Sequence, residues 1–249
     1  MNYEILSVKE QLLADNDQIA AETRAALAAC GTVLVNLMGS PGAGKTSVLL
    51  QLIARLGPRL RIGVMEADVD SDVDAKTVSE AGAKVVQLHT GGLCHMDAAM
   101  TAQGLEALGL NLPCSAQNLP CSQGRGTSLK AGGGVPFDFD LIFLENVGNL
   151  VCPAEFDVGA DLRMMLLSVP EGDDKPLKYP LMFTVSDLLL VNKIDTAPVF
   201  DFDLEAASRR ALACNPNLKI IPVSARTGEG FDAVAELLEG LCRKRRGTE

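Results

Sequence analysis

Eight residues, Gly39-Ser40-Pro41-Gly42-Ala43-Gly44-Lys45-Thr46, fit the pattern GxxxxGK[ST] and supply the first recognisable chemistry in this sequence. The apolar run Val33–Met38 precedes them and the helix-like Ser47–Ala54 follows, which is the strand, loop and helix context the pattern needs. Gly39, Gly42 and Gly44, with Ala43 between them, let backbone N–H groups close round the phosphates of a nucleotide. The helix N-terminus at Thr46 and Ser47 adds its partial positive charge. Lys45 reaches the outer phosphates, and the Thr46 hydroxyl meets Mg²⁺. A glycine-rich turn before a helix is the plain alternative; the intact Lys-Thr ending and its flanks argue against it.

Asn192-Lys193-Ile194-Asp195 follows a later apolar run, about 145 residues beyond the phosphate loop. The Asp195 carboxylate can accept from guanine N1–H and its 2-amino group. Adenine offers an acceptor at N1 and nothing at C2, so a buried acceptor there rejects it. Lys193 can lay its stem over the base, and Asn192 can tie the loop to its surroundings. Four residues of this kind recur by chance. After a strand, downstream of a phosphate loop, and followed by Ser224-Ala225-Arg226 at the next strand end, they point to GTP rather than ATP.

Carboxylates crowd the segment after the second apolar run: Asp68, Asp70, Asp72 and Asp74, with Glu145 after a later strand. All lie where a Mg²⁺ on Thr46 can be reached, directly or through water. Four acidic residues in a short segment fit a solvated loop and helix start equally well. Asp68, Asp74 and Glu145, together with Lys45, are the best candidates for the hydrolytic machinery. No glutamine stands out as the orienter of an attacking water, so intrinsic hydrolysis is expected to be slow.

Sulfur and imidazole form a second group. Cys94-His95 lies in a loop after the third strand and Cys152 in Asn149-Leu150-Val151-Cys152-Pro153 after the fourth. Thiolate and imidazole are ligands for Zn²⁺ or Ni²⁺, and three from one chain leave a position for water or a second copy. Isolated cysteines are otherwise small buried hydrophobes, and a loop histidine is ordinarily a polar surface residue. By spacing alone both accounts stand.

These groups need a scaffold that brings loops to one edge. Apolar, non-alternating runs at Val33–Met38, Ile62–Met65, Lys84–Leu88, Phe139–Leu144, Leu166–Val169, Leu188–Val191 and Lys219–Val223 read as seven strands. Helical patterns fall between and after them, notably Ala75–Ala81, Asp97–Leu108, Leu204–Cys214 and Phe231–Cys242. Alternation of this kind means an α/β fold with a mainly parallel seven-stranded sheet covered by helices on both faces. Its ligands sit at the strands' carboxyl ends. Residues 3–29 read as one or two helices interrupted near Asp15-Asn16-Asp17, a lead-in over 1–30.

The chain is expected to be a single domain over its 249 residues, 47% of them hydrophobic. A flexible surface insertion is expected over 111–136, where Asn111-Leu112-Pro113-Cys114-Ser115 is repeated as Asn118-Leu119-Pro120-Cys121-Ser122. A net charge of −10 argues against nucleic acid and an anionic membrane surface as partners. The basic cluster Arg243-Lys244-Arg245-Arg246 reads as a solvated tail. No secretory signal or membrane span is recognisable, and seven cysteines, an odd number, read as reduced thiols of a cytoplasmic protein.

GSPGAGKT, EADVDSDVDAKT with Asp68 and Asp74, TGGLCHMDA over Thr90–Ala98, and ENVGNLVCPAEF over Glu145–Phe156 together resemble the hydrogenase nickel-incorporation GTPases, the HypB family. Glu171-Gly172-Asp173-Asp174-Lys175-Pro176 and VNKID agree, and the likeness covers nearly the whole chain apart from the insertion. The resemblance implies a P-loop NTPase fold of the SIMIBI class and a nickel chaperone. In such a chaperone GTP joins two protomers into a homodimer, and Cys94, His95 and Cys152 hold Ni²⁺ or Zn²⁺ at the interface. Turnover then couples to delivery into the large subunit of a nickel-iron hydrogenase, with a companion nickel-binding accessory protein.

Two departures stand out. Residues 1–29 lack the cysteine motif or histidine-rich run that some members carry, so nickel storage is not implied. The insertion, with Cys114 and Cys121, replaces what is usually a short link. His89 is a weaker candidate ligand than His95. The rivals are a related metallochaperone GTPase serving urease or a cobalamin enzyme, a passive module that binds GTP and metal without turnover, and a small-molecule kinase. The guanine-reading loop speaks against the last.

Overall fold

A computed structural model describes residues 8–68, 73–110 and 138–247 of the chain. Its centre is β1 (Val33–Gly39), buried along its whole length. Alternate β1 side chains serve different layers, as strand geometry requires. Val33, Val35 and Leu37 join the core under α2 (Lys45–Leu56), α3 (Val73–Glu80) and α9 (Phe231–Arg246). Leu34 and Met38 face the other side. There α1 (Val8–Ala29) and α4 (Ala98–Leu108) cover one half, and the short α5 (Cys152–Glu155), α6 (Lys175–Lys178) and α7 (Pro180–Val185) with α8 (Leu204–Cys214) cover the other. A sheet buried on both faces explains why its strands are apolar throughout rather than alternating.

The remaining strands are β2 (Ile62–Asp68), β3 (Lys84–His89), β4 (Leu141–Glu145), β5 (Leu162–Ser168), β6 (Leu188–Asn192) and β7 (Lys219–Pro222). They pair in the order β3-β2-β4-β1-β5-β6-β7, every pair parallel. The chain leaves β1 for β2 and β3 on one side, returns through β4, and crosses to β5 on the other. β1 is thus the switch point, and the crevice beyond its carboxyl end is where ligands of such sheets bind. The seven-stranded parallel α/β sheet read from the sequence is the sheet observed.

Several boundaries differ from expectation, each for a physical reason. α1 runs unbroken through Asn16, because that residue is buried: its Nδ2 donates to the Asp157 carbonyl and its Oδ1 accepts from the Ala98 N–H, both at 2.9 Å. β5 begins at Leu162, where its N-terminal half pairs with β1, and ends at Ser168; Val169 opens a single 3₁₀ turn.

The basic cluster is not a loose tail. It forms the last turn of α9, where Arg245 pairs with Asp161 and Arg246 with Asp140. Asp140 also takes the backbone N–H and guanidinium of Arg61, so one buried carboxylate pins α9 and β2 beneath β4. The insertion over 111–136, with Cys114 and Cys121, lies outside the described residues, as do residues 1–7 and Asp70 and Asp72. Among the described residues, no helix is long and apolar enough to cross a membrane.

Candidate nucleotide pocket and metal centre

Beyond β1 the chain turns sharply into α2, and Gly44 caps the helix in the left-handed region with φ 97°. A Cβ at Gly44 would sit 2.6 Å from Asn192 Nδ2, so only glycine lets the loop and the β6 end approach this closely. Lys45 Nζ lies 3.5 Å from the carbonyls of Gly39 and Ser40, buried over the loop. A cavity of about 590 Å³ opens here, lined by Gly42, Gly44, Lys45, Thr46 and Ser47 on one side and Glu66, Glu145 and Lys193 on the other. Its size suits a nucleotide's phosphates and sugar.

On the acidic wall the Thr46 hydroxyl donates to Glu145 Oε1 at 3.3 Å. A hydroxyl and a carboxylate side by side are hard oxygen donors of the kind Mg²⁺ takes. Glu66, which the sequence shows only as the first residue of EADVDSDVDAKT, joins them. It is 3% exposed, stands opposite Glu145 in the β2–β4 register, and lines the same cavity. A glutamate closing a buried apolar strand was the signal available for it. Asp68 ends β2 and Asp74 lies in the first turn of α3. The side chains of both fall outside the described part of the structure.

The base-reading loop is assembled from three strand ends. Asn192 Nδ2 donates to the Ala43 carbonyl at 2.9 Å, and its Oδ1 accepts from the Ala225 N–H at 3.1 Å. Lys193 adopts the left-handed conformation, φ 64°, which carries its amine back to the Gly42 carbonyl at 2.7 Å. Asp195 is oriented by the Ser224 hydroxyl, which donates to Oδ1 at 2.6 Å, with Arg226 3.9 Å from its other oxygen. The structure therefore brings Asn192, Lys193, Asp195, Ser224 and Ala225 together beside the phosphate loop.

β3 and β4 flank β2, so the loops leaving them meet over its end. Cys94 Sγ lies 2.9 Å from Cys152 Sγ and 3.8 Å from His95 Nδ1. The ligand atoms of Cys94, His95 and Cys152 all lie within 4.8 Å of one another, the one such His/Cys/Asp/Glu group found among the described residues. Metal–sulfur bonds of about 2.3 Å hold tetrahedral thiolates about 3.8 Å apart, so an ion entering here spreads the sulfurs. His89, at the exposed end of β3, is outside the group.

The His95 ring stacks on Phe156 with centroids 3.9 Å apart. Burial lowers its pKa against the opposing pull of Asp97 and Glu155, which favours the neutral imidazole that binds metal. The hydrogen bond with Cys94, followed by desolvation, raises the Cys152 pKa, so a metal displaces a thiol proton there.

Three asparagines brace the segments that carry Cys94, His95 and Cys152, and sequence reasoning gave none of them a role in that site. Asn146, buried, takes the Met96 N–H on its Oδ1 at 3.1 Å and donates to Asn36 Oδ1 at 3.2 Å. Asn149 accepts from the N–H groups of Val151 and Cys152 and donates to the Cys94 carbonyl. Asn16 anchors Ala98 from α1. A lone asparagine in a loop carries no pattern; each acquires its role only when strands distant in sequence become neighbours.

Comparison with known proteins followed the same lines. The family model described as CobW/HypB/UreG, nucleotide-binding domain, matches residues 11–222. The hydrogenase maturation factor HypB of Azotobacter vinelandii is 41% identical over 244 residues, 98% of this chain and 71% of that protein. The crystal structure of hydrogenase maturation factor HypB from Archaeoglobus fulgidus superposes with a TM-score of 0.77 at 36% identity, covering 92% of this chain and all of the other. That of HypB from Helicobacter pylori in complex with nickel gives 0.77 at 30% identity, covering 92% and 96%.

Proposed function

The chain belongs to the HypB family of hydrogenase maturation factors, P-loop GTPases within the CobW/HypB/UreG group, and from that premise we propose that it is a GTP-hydrolysing nickel chaperone. Its target is the large subunit of a nickel-iron hydrogenase, approached in the cytoplasm with a companion nickel-binding accessory protein. One observation carries this reading. Cys94, His95 and Cys152 converge to within 4.8 Å, and Cys152 lies on the same loop that leaves the nucleotide cavity at Glu145.

Each residue then has a task. The phosphate loop from Gly39 to Ser47 wraps the phosphates with its N–H groups, and Lys45 stabilises charge on the outer ones. Thr46 and Glu145, with Asp68 and Asp74 from the preceding segment, are the residues to hold Mg²⁺. When bound, that ion neutralises charge on the β- and γ-phosphate oxygens. Asp195, held by Ser224, accepts from the guanine edge, and Asn192 braces its loop against Ala43. Water attack is expected to be slow, since no glutamine stands out in the sequence to orient it.

Ni²⁺ or Zn²⁺ is cargo. Two sulfurs and one imidazole leave the ion's coordination incomplete, and a second copy brought up by GTP completes it. Leu93 and Val151, exposed beside the cluster, add apolar surface on that edge.

Gel filtration of the full chain with GDP and with a non-hydrolysable GTP analogue, metal content being read across the peak, tests the proposal. The analogue should shift the protein to a dimer that carries Ni²⁺. A monomer in both states, with metal unchanged by the analogue, overturns it.

A further inference from the structure

The segment Gly148–Cys152 touches both halves of the site. Gly148 packs so tightly on the phosphate loop that a Cβ would come within 3.0 Å of the Pro41 nitrogen. One residue on, the Asn149 backbone forms an isolated antiparallel bridge with Gly39, the first residue of the phosphate loop. The side chain of the same asparagine faces the metal ligands. Its Oδ1 accepts from the N–H groups of Val151 and Cys152, each at 2.9 Å, which fixes the turn from which the Cys152 sulfur projects. Its Nδ2 donates to the Cys94 carbonyl on the other loop.

Resting on the proposed metal role of these cysteines, we propose that Asn149 is a positioning residue that sets the Cys94–Cys152 spacing and transmits the state of the phosphate loop to it. Asn146 also joins the two loops, but it is anchored on Asn36 and Leu37 inside β1 rather than against the phosphate loop. Asn149 is anchored on Gly39, where β1 passes into the phosphate loop, and its neighbour Gly148 packs on Pro41 of that loop, so a γ-phosphate that reorders the loop displaces the backbone carrying the amide. The amide then changes the separation and aim of both sulfurs together. An Asn side chain is needed for this, since one end must accept twice and the other must donate.

The experiment uses the full chain as wild type, N149A, N149D and C94A. Ni²⁺ affinity is measured by competition with a metallochromic dye, once with GDP and once with a non-hydrolysable GTP analogue. The Ni²⁺–thiolate absorption band is recorded alongside. N149D keeps the acceptor for Val151 and Cys152 and loses the donor to Cys94, so the local turn survives.

Both Asn149 variants should weaken Ni²⁺ by about 10–100-fold, the usual cost of removing a group that orients a ligand. They should bring the GDP-to-analogue affinity ratio to one and leave guanine-nucleotide affinity and the melting temperature near wild type. A purely structural role would not move that ratio. Wild-type Ni²⁺ affinity and ratio in either folded variant overturn the proposal, as does a ratio of one in the wild type. Should C94A bind Ni²⁺ like wild type, the metal reading itself fails, and that result is separate from any outcome at Asn149.

Discussion

Cys94 Sγ and Cys152 Sγ lie 2.9 Å apart although 58 positions separate them in the chain. The strand order produces this contact. β3 and β4 are not neighbours, and each pairs with β2 from opposite sides, so the loops that leave them bend toward each other over the β2 end. Straddling β2 also sets both loops beside the acidic wall of the nucleotide cavity.

From that contact, Cys94→Ala, His95→Ala and Cys152→Ala should each lower Ni²⁺ or Zn²⁺ affinity at least about tenfold. GTP affinity should stay within a few-fold, because none of the three lines the cavity. Equilibrium dialysis with a parallel fluorescent-nucleotide titration checks both halves. Unchanged metal stoichiometry in all three variants would remove the site.

Alkylation should separate the cysteines by environment. Cys242 is 1% exposed, and burial pushes its thiol up to about 11, so iodoacetamide at pH 8 should leave it unmodified in the native protein and modify it in urea. Cys30 and Cys94 are exposed and should react in the native state. Adding Ni²⁺ should protect Cys94 and Cys152 while Cys30 continues to react. Peptide mass spectrometry reads each position; equal labelling of Cys94 with and without metal would contradict the assignment.

Lys45→Ala should abolish GTP hydrolysis. It removes a cation buried against the phosphate loop, a loss of at least about a hundredfold for a group of this electrostatic kind. Phosphate release with saturating GTP and Mg²⁺ measures it. Persistent wild-type turnover would place the chemistry elsewhere.

Asp195→Asn should exchange base preference. The amide presents one donor where guanine also presents donors, so GTP affinity should fall by roughly 100-fold. Xanthine carries a carbonyl at C2, which the new donor satisfies, and XTP should gain. Competition between the two nucleotides on wild type and variant gives the ratio; an unaltered ratio would show that Asp195 does not meet the base.

Asp140→Ala should destabilise the fold without touching the site. The lost carboxylate serves Arg61 and Arg246, and its removal takes the ion pair from Arg246 and one of two from Arg61, which keeps Asp138. Arg61 is more than half exposed, which reduces the cost below that of a fully buried pair, to about 2–3 kcal/mol. A urea midpoint shifted downward at constant slope, with nucleotide affinity retained, is the expected result; no shift would mean that α9 is held by its apolar face alone.

The sheet was legible because its strands, buried on both faces, are unbroken apolar runs bounded by glycine and charge. The helix over Leu204–Cys214 was legible because Asp203 caps it and Asn215 ends it. The phosphate loop, the candidate base loop and the cysteine–histidine group were legible because their residue types are rare in combination and sit at strand ends. Residues that act by connecting were not. Asn16 looked like a helix breaker, since asparagine competes for backbone hydrogen bonds when exposed. Burial between Ala98 and Asp157 reverses its effect. Arg245 and Arg246 looked like a tail because their acidic partners, Asp161 and Asp140, precede strands far earlier in the chain. Glu66 was hidden by its strand: only the β2–β4 register sets it beside Glu145.

If Asn149 acts as proposed, the bridge between Gly39 and Asn149 makes the triphosphate grip and the cargo clasp one mechanical part, and thermodynamic linkage has no preferred direction. Whatever factor the nucleotide imposes on ion affinity, a captured ion imposes in equal measure on the nucleotide. On that proposal a laden carrier and an unladen one differ in which guanine nucleotide they retain, so the ratio of the two bound forms becomes a gauge of metal supply.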